Sequence, residues 1–160
     1  MTTMPLQVGN KAPDFTLFDT DLKERSLKEF LGKKLVLAFF PGAFTGVCTK
    51  EMCALRDTLA GLETLGAHVV AISTDSPFAN KAFKDANNLK FPMLCDVTHK
   101  VSVSYCGLYD SFARIPGYKA AKRSIFVLDA GGTIKYVWIT ENPGVEPNYD
   151  EVRKSLGHFN

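Results

Sequence analysis

The sequence predicts a layered α/β sandwich built around a mixed β-sheet. Three observations carry this. Two short buried-strand patterns, Leu35 to Phe40 and His68 to Ser73, are each followed by a helical repeat, which is the grammar of parallel strands joined by crossover helices. A hairpin pattern near the carboxyl end adds antiparallel strands.

Taken in order, Phe15 and Leu17 alternate with polar neighbours, and a polar turn follows from Asp19 to Lys23. Ser26 suits the cap of a short helix that Gly32 ends. The run Leu35-Val36-Leu37-Ala38-Phe39-Phe40 is apolar on both faces and stops at Pro41-Gly42, as a central strand does. From about Thr45, Met52, Leu55, Leu59 and Leu62 recur at three- and four-residue spacing, predicting a helix closed by Gly66. His68 to Ser73 forms the second buried strand. Asp75-Ser76-Pro77 supplies a cap and a proline at the first helical position, opening a helix to about Asn88. Phe91 to Cys95 is a short apolar piece, and Thr98 begins another helical stretch. Ser124 to Leu128, the turn Asp129-Ala130-Gly131-Gly132, and Thr133 to Ile139 read as a hairpin. Tyr149 to Leu156 forms a last helix ended by Gly157.

Composition narrows the function classes. The 160 residues fit one domain, and 46% hydrophobic with 22% charged side chains is an ordinary globular balance. A net charge of +2 offers no electrostatic footprint for nucleic acid or an anionic membrane. No repeat, Gly/Ser-rich linker or long like-charge block divides the chain. Residues 1 to 7 lack the basic and apolar regions of a secretory signal, and the longest apolar run is far short of the roughly 20 residues of a membrane helix. Four cysteines, at 48, 53, 95 and 106, are too few for a secreted disulfide framework; they predict a reducing, cytoplasmic setting or dedicated thiol chemistry.

The chemistry concentrates in Pro41-Gly42-Ala43-Phe44-Thr45-Gly46-Val47-Cys48-Thr49-Lys50-Glu51-Met52-Cys53. Cys48 stands at a helix start, where unpaired N–H groups and the macrodipole favour thiolate, so it is the candidate nucleophile. Thr45 places a hydroxyl beside the sulfur, and Pro41 offers no N–H to compete. The loop lacks the glycine spacing and lysine-serine pair of a phosphate cradle. Cys53 lies five residues on, which in an intact helix separates the two Cα atoms by about 8.7 Å. A disulfide tolerates up to about 7 Å, so a Cys48–Cys53 bond requires the first turn to unwind.

These residues carry a family resemblance. Pro41-x-x-x-Thr45-x-x-Cys48 resembles the active-site signature of peroxiredoxins. Cys48-Thr49-Lys50-Glu51-Met52-Cys53 is similar to the Q-type, or bacterioferritin-comigratory, subfamily, and Pro41-Gly42-Ala43-Phe44-Thr45 also to the type-five subfamily. Gly9 to Phe15 resembles the family's opening segment, and Lys122 to Asp129 its late strand that brings an arginine to the site. The resemblance implies a single thioredoxin-like domain over residues 1–160: a three-layer α/β sandwich with a central mixed sheet and an N-terminal β extension.

It further implies a thiol-dependent peroxidase acting on hydrogen peroxide or alkyl hydroperoxides. Cys48 would attack the peroxide and become a sulfenic acid. Arg123 would hold the thiolate and polarise the substrate; Thr45 and the N–H groups of Val47 and Cys48 would grip the peroxide oxygens. Pro41 would shield the sulfur and Glu51 would orient Arg123. Cys53 would resolve the sulfenic acid as a disulfide, reopened by a thioredoxin- or glutaredoxin-like reductant. No metal, haem or flavin is called for, and relatives of these kinds are monomers or homodimers.

Blander readings stand beside these. Cys53 also suits a core filler next to Met52 and Leu55, which leaves one catalytic cysteine working alone, or Cys95 or Cys106 as resolver; Cys106 is the second choice and Cys95 reads as core. Arg123 also fits a strand-edge charge, and Glu51 a solvated helix residue. A four-cysteine zinc site lacks the knuckle spacing. His68, His99 and His158 sit in no motif, and Phe44 and Phe78 are expected to pack inside the molecule. Two other functions use the same cysteine: a thiol-disulfide oxidoreductase working through the 48/53 pair, and a redox-sensing or chaperone-like interaction protein. Neither calls for the Thr45 and Arg123 constellation.

Overall fold

The computed structural model describes residues 6–159. Most of the amino-terminal stretch read above for a targeting signal, residues 1–5, lies outside the described residues. The chain opens with β1 (Thr16–Asp19), which turns through Asp19 into β2 (Glu24–Ser26) and a single helical turn, α1 (Leu27–Phe30). The Asp19 carboxylate accepts the N–H groups of Asp21 and Lys23 and pairs with Arg25, which fixes that turn. The central unit is β3 (Lys34–Phe39), α2 (Gly46–Thr64), β4 (Ala67–Ser73), α3 (Pro77–Ala86) and β5 (Met93–Cys95). Next come α4 (Lys100–Tyr105), the two-residue strands β6 (Leu108–Tyr109) and β7 (Ala120–Ala121), the hairpin β8 (Ser124–Leu128) and β9 (Ile134–Ile139), and α5 (Tyr149–Leu156).

Seven strands form one mixed sheet in the order β2-β1-β5-β4-β3-β8-β9. β3, β4 and β5 run parallel, and β8 lies antiparallel on the other side of β3. The β1–β2 pair extends the sheet at the β5 edge, as the expected amino-terminal extension. Alternation of side chains assigns each strand to two cores. Val36, Ala38 and Phe40, with Ile125 and Val127, face α2, α3 and α5 through Leu55, Leu62, Phe83, Val152 and Leu156. Leu35, Leu37 and Phe39, with Phe126 and Leu128, face α1 and α4 through Leu27, Phe30 and Tyr105. The result is the three-layer sandwich that the sequence predicts.

α2 runs unbroken from Gly46 to Thr64 and ends because Gly66 takes a left-handed conformation, φ +76°. Ser76 caps α3 by accepting the Ala79 N–H at 3.1 Å, with Pro77 at the first position. Ser26 stands at the cap of α1 as expected, though without a side-chain hydrogen bond. Two expectations are corrected. α4 begins at Lys100, not Thr98, because His99 takes φ +67° and cannot join a right-handed helix. Phe44 and Phe78 do not pack inside: they are 58% and 73% exposed. No helix among the described residues is long and apolar enough to cross a membrane.

Candidate active site

The site forms where β3 ends. The strand carries the chain to buried Pro41 and Gly42, and the segment 41–45 turns it into the first turn of α2. Gly42 is closely surrounded: a Cβ there would sit in van der Waals contact, 3.4 Å from the Phe112 ring and 3.4 Å from the Thr45 methyl, with the Tyr118 hydroxyl at 3.9 Å. Phe112 and Tyr118, set edge to face, therefore roof the loop. Phe44 takes φ +64°, lays its ring edge-on against Phe83, and leaves its other side to solvent.

Cys48 is the third residue of α2 and is fully buried. The first helical bond runs from the Thr49 N–H to the Thr45 carbonyl at 2.9 Å, so Val47 and Cys48 contribute N–H groups with no helical acceptor. The Thr45 hydroxyl is bonded to the Gly42 carbonyl at 2.8 Å and neighbours the sulfur. Sequence reasoning expects the helix start to favour thiolate, but burial is the stronger effect and pushes the Cys48 thiol up from its ordinary value. Arg123, the Thr45 hydroxyl and a backbone bond from Gly42 pull it back, while Glu51 adds to the rise.

Arg123 is 1% exposed, not a surface charge at a strand edge. It precedes β8 by one residue, and its place two residues before Ile125 puts its side chain on the α2 side of the sheet. The guanidinium is held on two sides. Nη1 donates to Glu51 Oε2 at 2.7 Å, and Nε and Nη2 donate to the Pro143 carbonyl at 3.1 and 2.8 Å. Its charge also acts on the nearby Cys48 sulfur. The Arg123 N–H donates to the Tyr109 hydroxyl at 3.2 Å, which itself donates to the Thr140 carbonyl at 2.8 Å.

Glu51 lies one turn after Cys48 on the same face of α2 and is fully buried, not a solvated helix residue. Its Oε2 takes the Arg123 pair, whereas Oε1 is buried without a hydrogen-bond partner. Burial therefore lifts the carboxyl from 4.5 to about 7, against the pull of Arg123 and with help from nearby Glu146.

The other cysteines sort by position. Cys53, half-buried farther along α2, sits 3.7 Å from the Asn87 side-chain oxygen. All four cysteines are free thiols, and the intact helix keeps Cys53 from Cys48. Cys106 belongs to the core on the other face of the sheet from Cys48, and burial pushes its thiol up to about 12. Cys95, 3% exposed at the end of β5, accepts the Asn80 amide at 3.3 Å; burial raises its thiol too. Sequence reasoning missed Pro143, Tyr109, Phe112 and Tyr118. Pro143 and Tyr109 act through a carbonyl and a distant hydroxyl, and the two roof residues come from an irregular turn without periodicity.

Comparison with known proteins identifies the family. The model of the AhpC/TSA family matches residues 8–137. The chain is 38% identical over 135 residues to a bcp peroxiredoxin of Coxiella burnetii, covering 84% of this chain and 89% of that one. It is 36% identical over 148 residues to the chloroplastic peroxiredoxin Q of Gentiana triflora, covering 92% of this chain and 65% of that longer one. Among solved structures, the peroxidoxin BcpB of Mycobacterium tuberculosis superposes with a TM-score of 0.85 at 26% identity, over 97% of this chain and 99% of that one. The reduced 2-Cys peroxiredoxin of Plasmodium vivax follows with a TM-score of 0.83 at 26% identity, covering 96% and 81%.

Proposed function

The chain belongs to the AhpC/TSA family and is a peroxiredoxin, a thiol-dependent peroxidase, and from that premise we propose that Cys48 is its peroxidatic cysteine. The observation that carries this is one buried guanidinium, Arg123, braced by Glu51 and Pro143 and close enough to Cys48 for its charge to pull the thiol toward thiolate. A fixed cation in a dry pocket supports a thiolate there and polarises an incoming O–O bond.

The Cys48 thiolate attacks one oxygen of hydrogen peroxide or an alkyl hydroperoxide. A sulfur–oxygen bond forms as the O–O bond breaks; the departing oxygen takes a proton and leaves as water or alcohol. The thiol is oxidised to sulfenic acid while the peroxide is reduced. Thr45 and the N–H groups of Val47 and Cys48 hold the two peroxide oxygens, Pro41 keeps water from the sulfur, and Glu51 fixes Arg123. Cys53 then attacks the sulfenic sulfur, forming a disulfide and releasing water, and a thioredoxin-like dithiol accepts the oxidising equivalents. Four free thiols suit a reducing compartment such as the cytoplasm.

Stopped-flow consumption of peroxide by the reduced protein tests the reading. Fast oxidation lost in Cys48→Ser is expected. Oxidation of the unsubstituted chain at the rate of a free thiol overturns it in favour of slower thiol-disulfide exchange or redox sensing.

A further inference from the structure

Building on the peroxidase reading, we propose that Asp75 is a positioning residue that latches the segment 41–45. Its carboxylate holds the segment in the form in which Cys48 meets peroxide and opposes the unwound form in which Cys48 meets Cys53.

The segment needs an external hold. Phe44 sits at φ +64°, a conformation that bulky side chains avoid, and the Thr45 hydroxyl bonds within the same loop, to Gly42. The tie to the rest of the fold is the Ala43 N–H, which donates to Asp75 Oδ2 at 2.7 Å across 32 residues. A short bond to a carboxylate is the stronger kind of backbone tether.

Asp75 is itself braced from the core. Its backbone N–H donates to the Ser73 hydroxyl at 3.2 Å. That hydroxyl lies 3.3 Å from Asp75 Oδ2 and 3.0 Å from the side-chain oxygen of Asn80, which is fully buried. Asn80 in turn donates to the Cys95 sulfur at 3.3 Å. The acceptor is thus fixed by the end of β4, by α3 and by β5, all rigid elements. The second edge of the latch is the Phe44 ring against Phe83, 5.3 Å between centroids.

The geometry assigns opposite effects to the two half-reactions. Cys48 and Cys53 are five residues apart on an intact helix, so their disulfide demands unwinding that begins beside Ala43. Loss of the latch loosens the pocket that attacks peroxide and eases the unwinding that forms the disulfide.

The experiment uses the full-length reduced chain, hydrogen peroxide, and rapid quenching with mass spectrometry to follow thiol, sulfenic acid and disulfide separately. Asp75→Ala is expected to oxidise at Cys48 about tenfold more slowly, the scale of one lost hydrogen bond, and to pass from sulfenic acid to disulfide faster than the unsubstituted chain. Asp75→Asn keeps an oxygen acceptor without the charge and is expected about threefold slower in the first step, with the second step again faster; it decides the matter should the alanine variant not fold. Unchanged rates, or two steps slowed together, overturn the latch. An unsubstituted chain that reacts no faster than a free thiol overturns the peroxidase reading instead, whereas one that consumes peroxide fast but never forms the 48–53 disulfide overturns the resolving role of Cys53 and the latch with it.

Discussion

Arg123 serves the site by the shape of its donor fork as much as by its charge. Three nitrogens reach Glu51 and the Pro143 carbonyl while the charge still acts on the Cys48 sulfur. A lysine keeps the charge but cannot span these partners. Arg123→Lys is therefore expected to slow peroxide consumption by about 10²- to 10³-fold, the scale for a lost donor at a developing charge, and to raise the pH at which Cys48 alkylates. An unchanged alkylation profile would count against the role. Glu51 makes a different prediction. Its carboxyl titrates near 7 in the folded chain against 4.5 as the ordinary value. The unfolded chain gives up this proton first as pH rises, so Glu51 favours the fold below 4.5 and progressively less as pH climbs to 7. Urea midpoints of Glu51→Gln should lack that decline, and parallel curves for the two proteins would refute it. At this scale the sequence announced Cys48, Thr45 and Pro41, because helix-start chemistry is local. It was equivocal about Arg123 and Glu51, because their burial is decided by a contact across 72 residues.

α2 is an unbroken helix that the proposed Cys48–Cys53 disulfide would require to come apart. Met52, Leu55 and Leu62 bury its inner face, whereas its first turn buries Cys48 alone and is otherwise tied through the preceding loop. Fraying should therefore stop before Leu55. Amide exchange across residues 46–55 is expected to rise on oxidation while residues 56–64 stay protected; equal protection in both states would refute the unwinding. Cys53→Ser should still oxidise at Cys48 at the normal rate, yet accumulate sulfenic acid that dimedone captures. An internal disulfide in that variant would remove Cys53 from the resolving role. The longer elements were legible because their periods of two and 3.6 repeat several times. β2, β6 and β7, two or three residues each, carry no full period and exist through their pairing alone. The start of α4 was misplaced because a non-glycine residue, His99, stands in a left-handed conformation.

On the scale of the whole molecule, the sheet divides the interior into two cores by alternation along β3, β4 and β8. Leu37, fully buried, points into the core away from Cys48. Leu37→Ala is expected to cost about 2–5 kcal/mol in urea unfolding, with the peroxide reaction of the folded fraction unchanged. A parallel loss of rate would show that the cores are mechanically coupled. The division has a consequence for chemical wear. A peroxidase is exposed to its own oxidant, and a spare thiol beside the nucleophile would be spent as an unintended target. One layer of sheet stands between Cys106 and Cys48, as a fire door stands between a furnace and a store room.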